Sequence, residues 1–143
     1  MIKKYQALTY TLCMKKMVLI LGVVVIVATA FWIIWRQNQQ QVVEYSLSGI
    51  KKKFLVAKTA EEWEKGLMDY RQLDEVDGMI FVFPQAELRT FWNKNTYLDL
   101  QIYWLRNHQI IGQSFLPSIE RSKEYIYIRS PGPVDTVIEE VKK

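Results

Sequence analysis

The chain has 143 residues and a formal net charge of +4, with one cysteine and one histidine. That length allows one domain and a preceding segment. Cys13 alone excludes an intramolecular disulfide, and so small a Cys/His inventory excludes a zinc set or a Cys–His catalytic pair. The charge is unevenly placed: Lys3, Lys4, Lys15 and Lys16 precede every acid, whereas from Arg36 onward basic and acidic residues balance. The excess is therefore a topology signal, and no nucleic-acid partner is expected, since that would need a basic face on the domain itself.

Met17 to Trp35 carries no charge and is dominated by Val, Leu, Ile and Phe. As a helix it would extend roughly 28 Å, about one bilayer hydrocarbon core, so a single transmembrane helix is expected over 17–35. The lysine-rich flank 1–16 predicts a cytoplasmic N-terminus and a C-terminal part outside the cytoplasm, with the cell membrane as the location and the lipid bilayer as first partner. Cleavage after Ala30 is disfavoured because it would leave Phe31 to Trp35 as an apolar new terminus. Residues 36–41, R-Q-N-Q-Q-Q, read as a short polar tether.

The domain is expected over 42–143. Val42 to Leu47 and Lys51 to Ala57 flank Ser48-Gly49 as a hairpin. Thr59 and Glu62 form a capping box at the start of a short helix whose Ala60, Trp63 and Leu67 share one face, and Gly66 stops it in a left-handed conformation. Gly78 to Phe83 is apolar on both faces, a central strand expected to end at Pro84. Leu88 to Trp92 reads as a strand and Asn93 to Thr96 as a loop or bulge. Leu98, Leu100, Ile102 and Trp104 alternate with polar residues, and Arg106-Asn107-His108 turns this strand into Gln109 to Phe115. Tyr125 to Ile128 and Asp135 to Val141 close the domain around a rigid Pro-Gly-Pro turn. The expected fold is mainly β, a small antiparallel barrel or sandwich-like domain with one short helix, preceded by the transmembrane helix.

Gly66-Leu67-Met68, Leu73, Gly78 to Phe83 and Phe91 to Thr96 together resemble the ordered blocks of the domain of unknown function 192 family, over roughly residues 53–140. The resemblance implies a small β domain with one short helix and implies no activity. Here Asn93 stands where that family usually has Met, and Tyr70 where it has arginine, with Arg71 one place later. Asp99-Leu100-Gln101 replaces its Pro-Leu-Asp run.

Trp92, Lys94, Asn95 and Thr96, with Arg71 and Met68, are the candidate ligand-binding residues, since together they could line a pocket for a polar or anionic small molecule. The bland alternative has Asn95 and Thr96 bonding a turn, Trp92 in the core and Lys94 reaching outward. Met68, Met79, Phe81, Phe83 and Trp92 read as core before cleft. No metal site or cofactor is expected, and no catalytic set is identified. The expected role is binding a small ligand or a partner protein of the envelope. A hydrolase or lyase using Lys94 with a nearby acid or Arg71 is one alternative. A structural component of an envelope complex, presenting Tyr97, Tyr103 or Tyr125, is the other.

Overall fold

The computed structural model describes Met17 and residues 20–32, 40–47 and 49–142. The chain divides into two units, residues 1–39 and 40–143. In the first, residues 20–32 form a helix, α1. No helix among the described residues is long and apolar enough to cross a membrane. This corrects the transmembrane helix expected over 17–35. At about 1.5 Å per residue α1 extends roughly 20 Å, against about 30 Å of hydrocarbon. The basic flank 1–16, with Cys13, and residues 33–39, with Trp35 and Arg36, lie outside the described residues. Of the expected tether, Gln41 already belongs to the domain: its carbonyl accepts the Val56 N–H at 2.8 Å.

In the second unit, β1 (Val42–Leu47) and β2 (Ile50–Ala57) form the expected antiparallel hairpin. The capping box of α2 (Ala60–Lys65) is present in full. The Thr59 side chain accepts the Glu62 N–H at 3.3 Å, and the Glu62 carboxylate accepts the Thr59 and Lys58 N–H groups at 3.0 and 2.6 Å. The Lys58 N–H is the largest influence on this carboxyl, and with Thr59 it holds the Glu62 pKa below its ordinary value. Gly66 ends α2 with φ 48° and ψ −133°, a positive-φ conformation outside the left-handed helical well that glycine reaches without steric cost.

Beyond α2 the chain forms β3 (Gly78–Glu87), β4 (Thr90–Trp92), β5 (Leu100–Arg106) and β6 (Gln109–Leu116). It then forms a short helix α3 (Ile119–Ser122), β7 (Tyr127–Arg129) and β8 (Val134–Val141). Six strands make one sheet in the order β1-β2-β3-β8-β5-β6, and β4 pairs β7 in a separate ribbon. The fold is mainly β with short helices, but the sheet is mixed: β2 and β3 run parallel because α2 carries the chain between them as a crossover. β7 and β8 are not a hairpin. They flank the Pro-Gly-Pro segment but pair into different sheets.

Pro84 does not end β3. The β3–β8 register jumps between Val82 and Glu87, so the residue without an N–H sits where the ladder is already broken. Asn107 and His108, with φ of 50° and 63°, make the tight turn that joins β5 to β6. The main core lies on the sheet face that carries Met79, Phe81, Leu100, Ile102, Trp104 and Val137, all 0–1 % exposed. The ribbon closes it through Phe91, whose ring meets Phe81 edge-on at 4.9 Å and Trp104 at 5.6 Å. Trp63 of α2 packs on Phe83 at 5.0 Å. Phe54, Ile80, Leu105 and Ile138 form a second cluster, fixed on the opposite face by strand alternation.

Candidate functional site

β8 carries two consecutive glutamates, and the pleat sends them to opposite faces. Glu140 lies with the second cluster, where it pairs with Lys52 and accepts the Tyr103 hydroxyl at 2.9 Å. Glu139 points into the main core. Its neighbours across the sheet are Met79 on β3 and Ile102 on β5, both fully buried. Glu139 is 4 % exposed, and its Oε2 is buried without a hydrogen-bond partner. Desolvation alone pushes this carboxyl up to about 8, so at neutral pH it is largely the protonated acid.

A cavity of about 270 Å³ opens at Glu139, between the sheet, α2 and the ribbon. Trp63, Phe81, Phe83, Phe91 and Trp92 form its aromatic walls, and Leu67 and Met68 add aliphatic surface. Buried Thr96, half-buried Arg89 and exposed Thr90 add polar groups to the lining, with Glu64 and Lys65 contributed by α2. Gly66 lines the same space: a Cβ there would stand 3.2 Å from the Phe81 ring and 3.9 Å from Glu139 Oε2. Its lack of a side chain keeps the carboxyl open to the cavity.

Arg89 sits in the β3–β4 connection. Its N–H donates to Ser130 Oγ at 3.0 Å and its carbonyl accepts the Ser130 N–H at 2.9 Å. The guanidinium lies over the Phe83 ring at 4.1 Å, donates to the Gln85 carbonyl at 3.2 Å and pairs with Glu87 at 3.2 Å. Its Nε–H is buried and without a partner. Among the described residues, Arg89 Nε and Glu139 Oε2 are the two buried side-chain polar atoms in that condition, and both residues line this cavity.

Of the residues expected to bind ligand, the structure brings Met68, Trp92 and Thr96 to the cavity. Thr96 is buried and its hydroxyl donates to the Lys94 carbonyl at 3.2 Å. Lys94, Asn95 and Arg71 do not line it. The Lys94 ammonium stands 4.8 Å from the Trp92 ring centre. Asn95, exposed at φ 49°, turns the chain and accepts the Asp69 N–H on its carbonyl. Arg71 covers Tyr97 at 4.0 Å and pairs with Glu120 at 3.0 Å.

Asn93 is fully buried. Its Nδ2 reaches the Pro117 carbonyl and Ser122 Oγ, and its Oδ1 accepts the Ile126 N–H, which ties β4 to the segment around α3. Asp99 is committed to the same region. Burial opposes its charge, but the Ser118 N–H at 2.8 Å and the Arg121 guanidinium at 2.7 Å outweigh it and hold its pKa low. Sequence reasoning missed Glu139 and Arg89. For Glu139 a signal existed, because Val137 and Val141 flank it at a spacing of two, and an acid on an apolar strand face is a flag. For Arg89, between two strands, no local pattern points inward.

The search of curated proteins matched none. Two solved structures are similar. A protein of unknown function from Novosphingobium aromaticivorans DSM 12444 aligns with a TM-score of 0.61 at 24% identity, over 73% of this chain and 76% of that one. A protein from Sinorhizobium meliloti 1021, described as a "putative transcription regulator", aligns with a TM-score of 0.55 at 29% identity, over 71% of this chain and 79% of that one. Residues 43–142 match the domain of unknown function 192 family, described as "Uncharacterized ACR", and the chain belongs to that family.

Proposed function

We propose that the β domain binds a small organic molecule in the cavity beneath Gly66. The observation that carries this reading is that the two buried side-chain atoms without a partner among the described residues, Glu139 Oε2 and Arg89 Nε, belong to residues lining one space. Leaving a buried polar group unmet costs roughly 1–3 kcal/mol, and a fold that keeps two such groups around one cavity is organised for a molecule that meets both. The volume, about 270 Å³, lies just under the roughly 300–1,000 Å³ of drug-sized sites, so the ligand is small.

A second reading, docking of a partner protein, draws on the ribbon surface. There Trp92 lies 6.1 Å from Tyr125 and 5.7 Å from Tyr127, and both tyrosines are more than half exposed. Of the other tyrosines considered for such a role, Tyr103 is engaged with Glu140 and Tyr97 lies under Arg71. A Lys94-based hydrolase or lyase draws less support, since among the described residues no carboxylate forms an ion pair with Lys94 and Arg71 is taken by Glu120. The regulator description of the Sinorhizobium meliloti protein offers a nucleic-acid reading, which the balanced charge from Arg36 onward does not favour.

A fragment titration followed by amide NMR tests the cavity reading. Shifts are expected at Gly66, Phe81, Thr90 and Glu139. Fragments that shift only Tyr125 and Tyr127 overturn it in favour of the exposed surface, and failure of every fragment to bind overturns it outright.

A further inference from the structure

We infer that the ligand is a small protonated primary amine, its ammonium held by Glu139 and a second, acceptor atom held by the Nε–H of Arg89; this rests on reading the cavity as a binding site. The charges around the cavity single out the class. The Arg89 guanidinium is already balanced by Glu87 at 3.2 Å. Glu64 and Lys65 from α2 bring one charge of each sign. Glu139 is the remaining ionisable group, and no protein cation forms an ion pair with it among the described residues.

An alkylammonium supplies the hydrogen-bond partner that Oε2 lacks and the countercharge that the ionised carboxylate would need. Of the wall's aromatic rings, Phe83 and Trp92 already carry Arg89 and Lys94, and Trp63, Phe81 and Phe91 remain to favour the same ion, because a ring face attracts a cation. A carboxylate ligand would leave Glu139 neutral, as a donor, and would bring its charge into a cavity whose guanidinium, Arg89, is already paired with Glu87. An alcohol could bond Oε2 but brings no charge to stabilise its ionised form.

Binding then has a defined proton balance. Glu139 enters as the neutral acid, releases its proton to the buffer as the ammonium arrives, and becomes the carboxylate of a buried ion pair; no other bond is made or broken. Affinity should rise with pH by up to about tenfold per unit below about pH 8 and level off above, as the cost of removing that proton disappears. Glu64, Lys65 and Arg89 are the other ionisable groups at the cavity, and Glu64→Gln is the control for the second carboxylate.

Three probes with one ring and one phenol separate the classes: tyramine, tyrosol and 4-hydroxyphenylacetate, which differ in carrying an ammonium, an alcohol or a carboxylate. Calorimetry on the full chain, in two buffers of different ionisation heat at pH 6.5, reads affinity and proton release together. Tyramine should bind at least tenfold tighter than either analogue and release close to one proton per site. Glu139→Gln should abolish the release and the pH dependence and lower tyramine affinity at least tenfold, with Glu64→Gln leaving both in place.

Equal or tighter binding of tyrosol or 4-hydroxyphenylacetate at the cavity overturns the amine assignment and leaves the cavity a binding site. So does tyramine binding without proton release, or loss of the release in Glu64→Gln. If none of the three shifts the amide signals of Gly66, Phe81 or Glu139, the amine assignment fails. The reading of the cavity itself is then decided separately by the broader fragment titration. A folded Glu139→Gln is verified by its amide spectrum, and Glu139→Asp, which keeps the acid but shortens its reach, should retain the release at reduced affinity.

Discussion

Glu139 and Glu140 are chain neighbours with opposite fates. Glu140 finds a lysine and a tyrosine on its face of the sheet, whereas Glu139 finds Met79, Ile102 and the wall of a cavity. The first arrangement is self-sufficient and reads as structure. The second leaves Glu139 Oε2 without a hydrogen-bond partner, and the proposed binding site rests on that difference.

The comparison breaks most severely if the two strands that fix it are forced apart. A Cβ at Gly78 would lie 1.8 Å from the Glu139 carbonyl oxygen, so β3 and β8 cannot keep their register around an alanine. Gly78→Ala should cost about 3 kcal/mol or more, or prevent cooperative folding, as read from urea denaturation.

Next in size is the pH dependence of the Glu139 side. Its folded pKa, about 8, lies above the 4.5 of a free glutamate, so the folded state holds a proton that the unfolded state has released. Stability is therefore fully present below about pH 4.5 and declines as pH rises through about 8, by at most about 1.4 kcal/mol per unit. Denaturation midpoints across that range should slope downward in the wild type, and Glu139→Gln should remove this part of the slope. Glu62 and Asp99 have depressed pKa values and act oppositely, losing their stabilisation in acid below that window.

On the partnered side the expected losses are smaller. Glu140→Gln removes the charge facing Lys52 and weakens the acceptor for Tyr103, and should cost about 1–3 kcal/mol by the same assay with little effect on cavity ligands. Tyr103→Phe should cost about 1 kcal/mol. Burial, reinforced by the bond to Glu140, pushes the Tyr103 hydroxyl up to about 12, so stability should fall as pH rises from about 10 to 12. The phenylalanine variant should lack that alkaline decline. If Glu140→Gln disturbed ligand binding as much as Glu139→Gln, the division between a structural and a functional glutamate would collapse.

Local chemistry made much of the domain legible. Thr59 and Glu62 announce a capping box because both partners lie within one helical turn, and the structure holds it. The alternation from Leu98 to Trp104 predicts a half-buried strand, and those four apolar residues are buried. Pro84 misled because a proline ends a strand only where its missing N–H is needed, and whether β8 pairs there cannot be read from β3. α3 went unforeseen because a single turn capped by Ser118 carries too little periodicity. For the apolar run 17–35 hydropathy gives a potential span, and among the described residues no helix is long and apolar enough to cross a membrane.

Met68, Trp92 and Thr96 line the cavity, whereas Lys94, from the same block as Trp92 and Thr96, stands at the Trp92 ring and Arg71 pairs with Glu120. By itself the sequence determined the strands, the capped helix and the family, since each depends on residues close in the chain or on blocks in order. Only the tertiary structure decided that β2 and β3 run parallel and that Arg89 and Glu139 meet one cavity. It alone left Glu139 without the partner its neighbour has. Whether a buried polar atom is satisfied depends on what the sheet and its cover place opposite it, and no stretch of sequence contains that information.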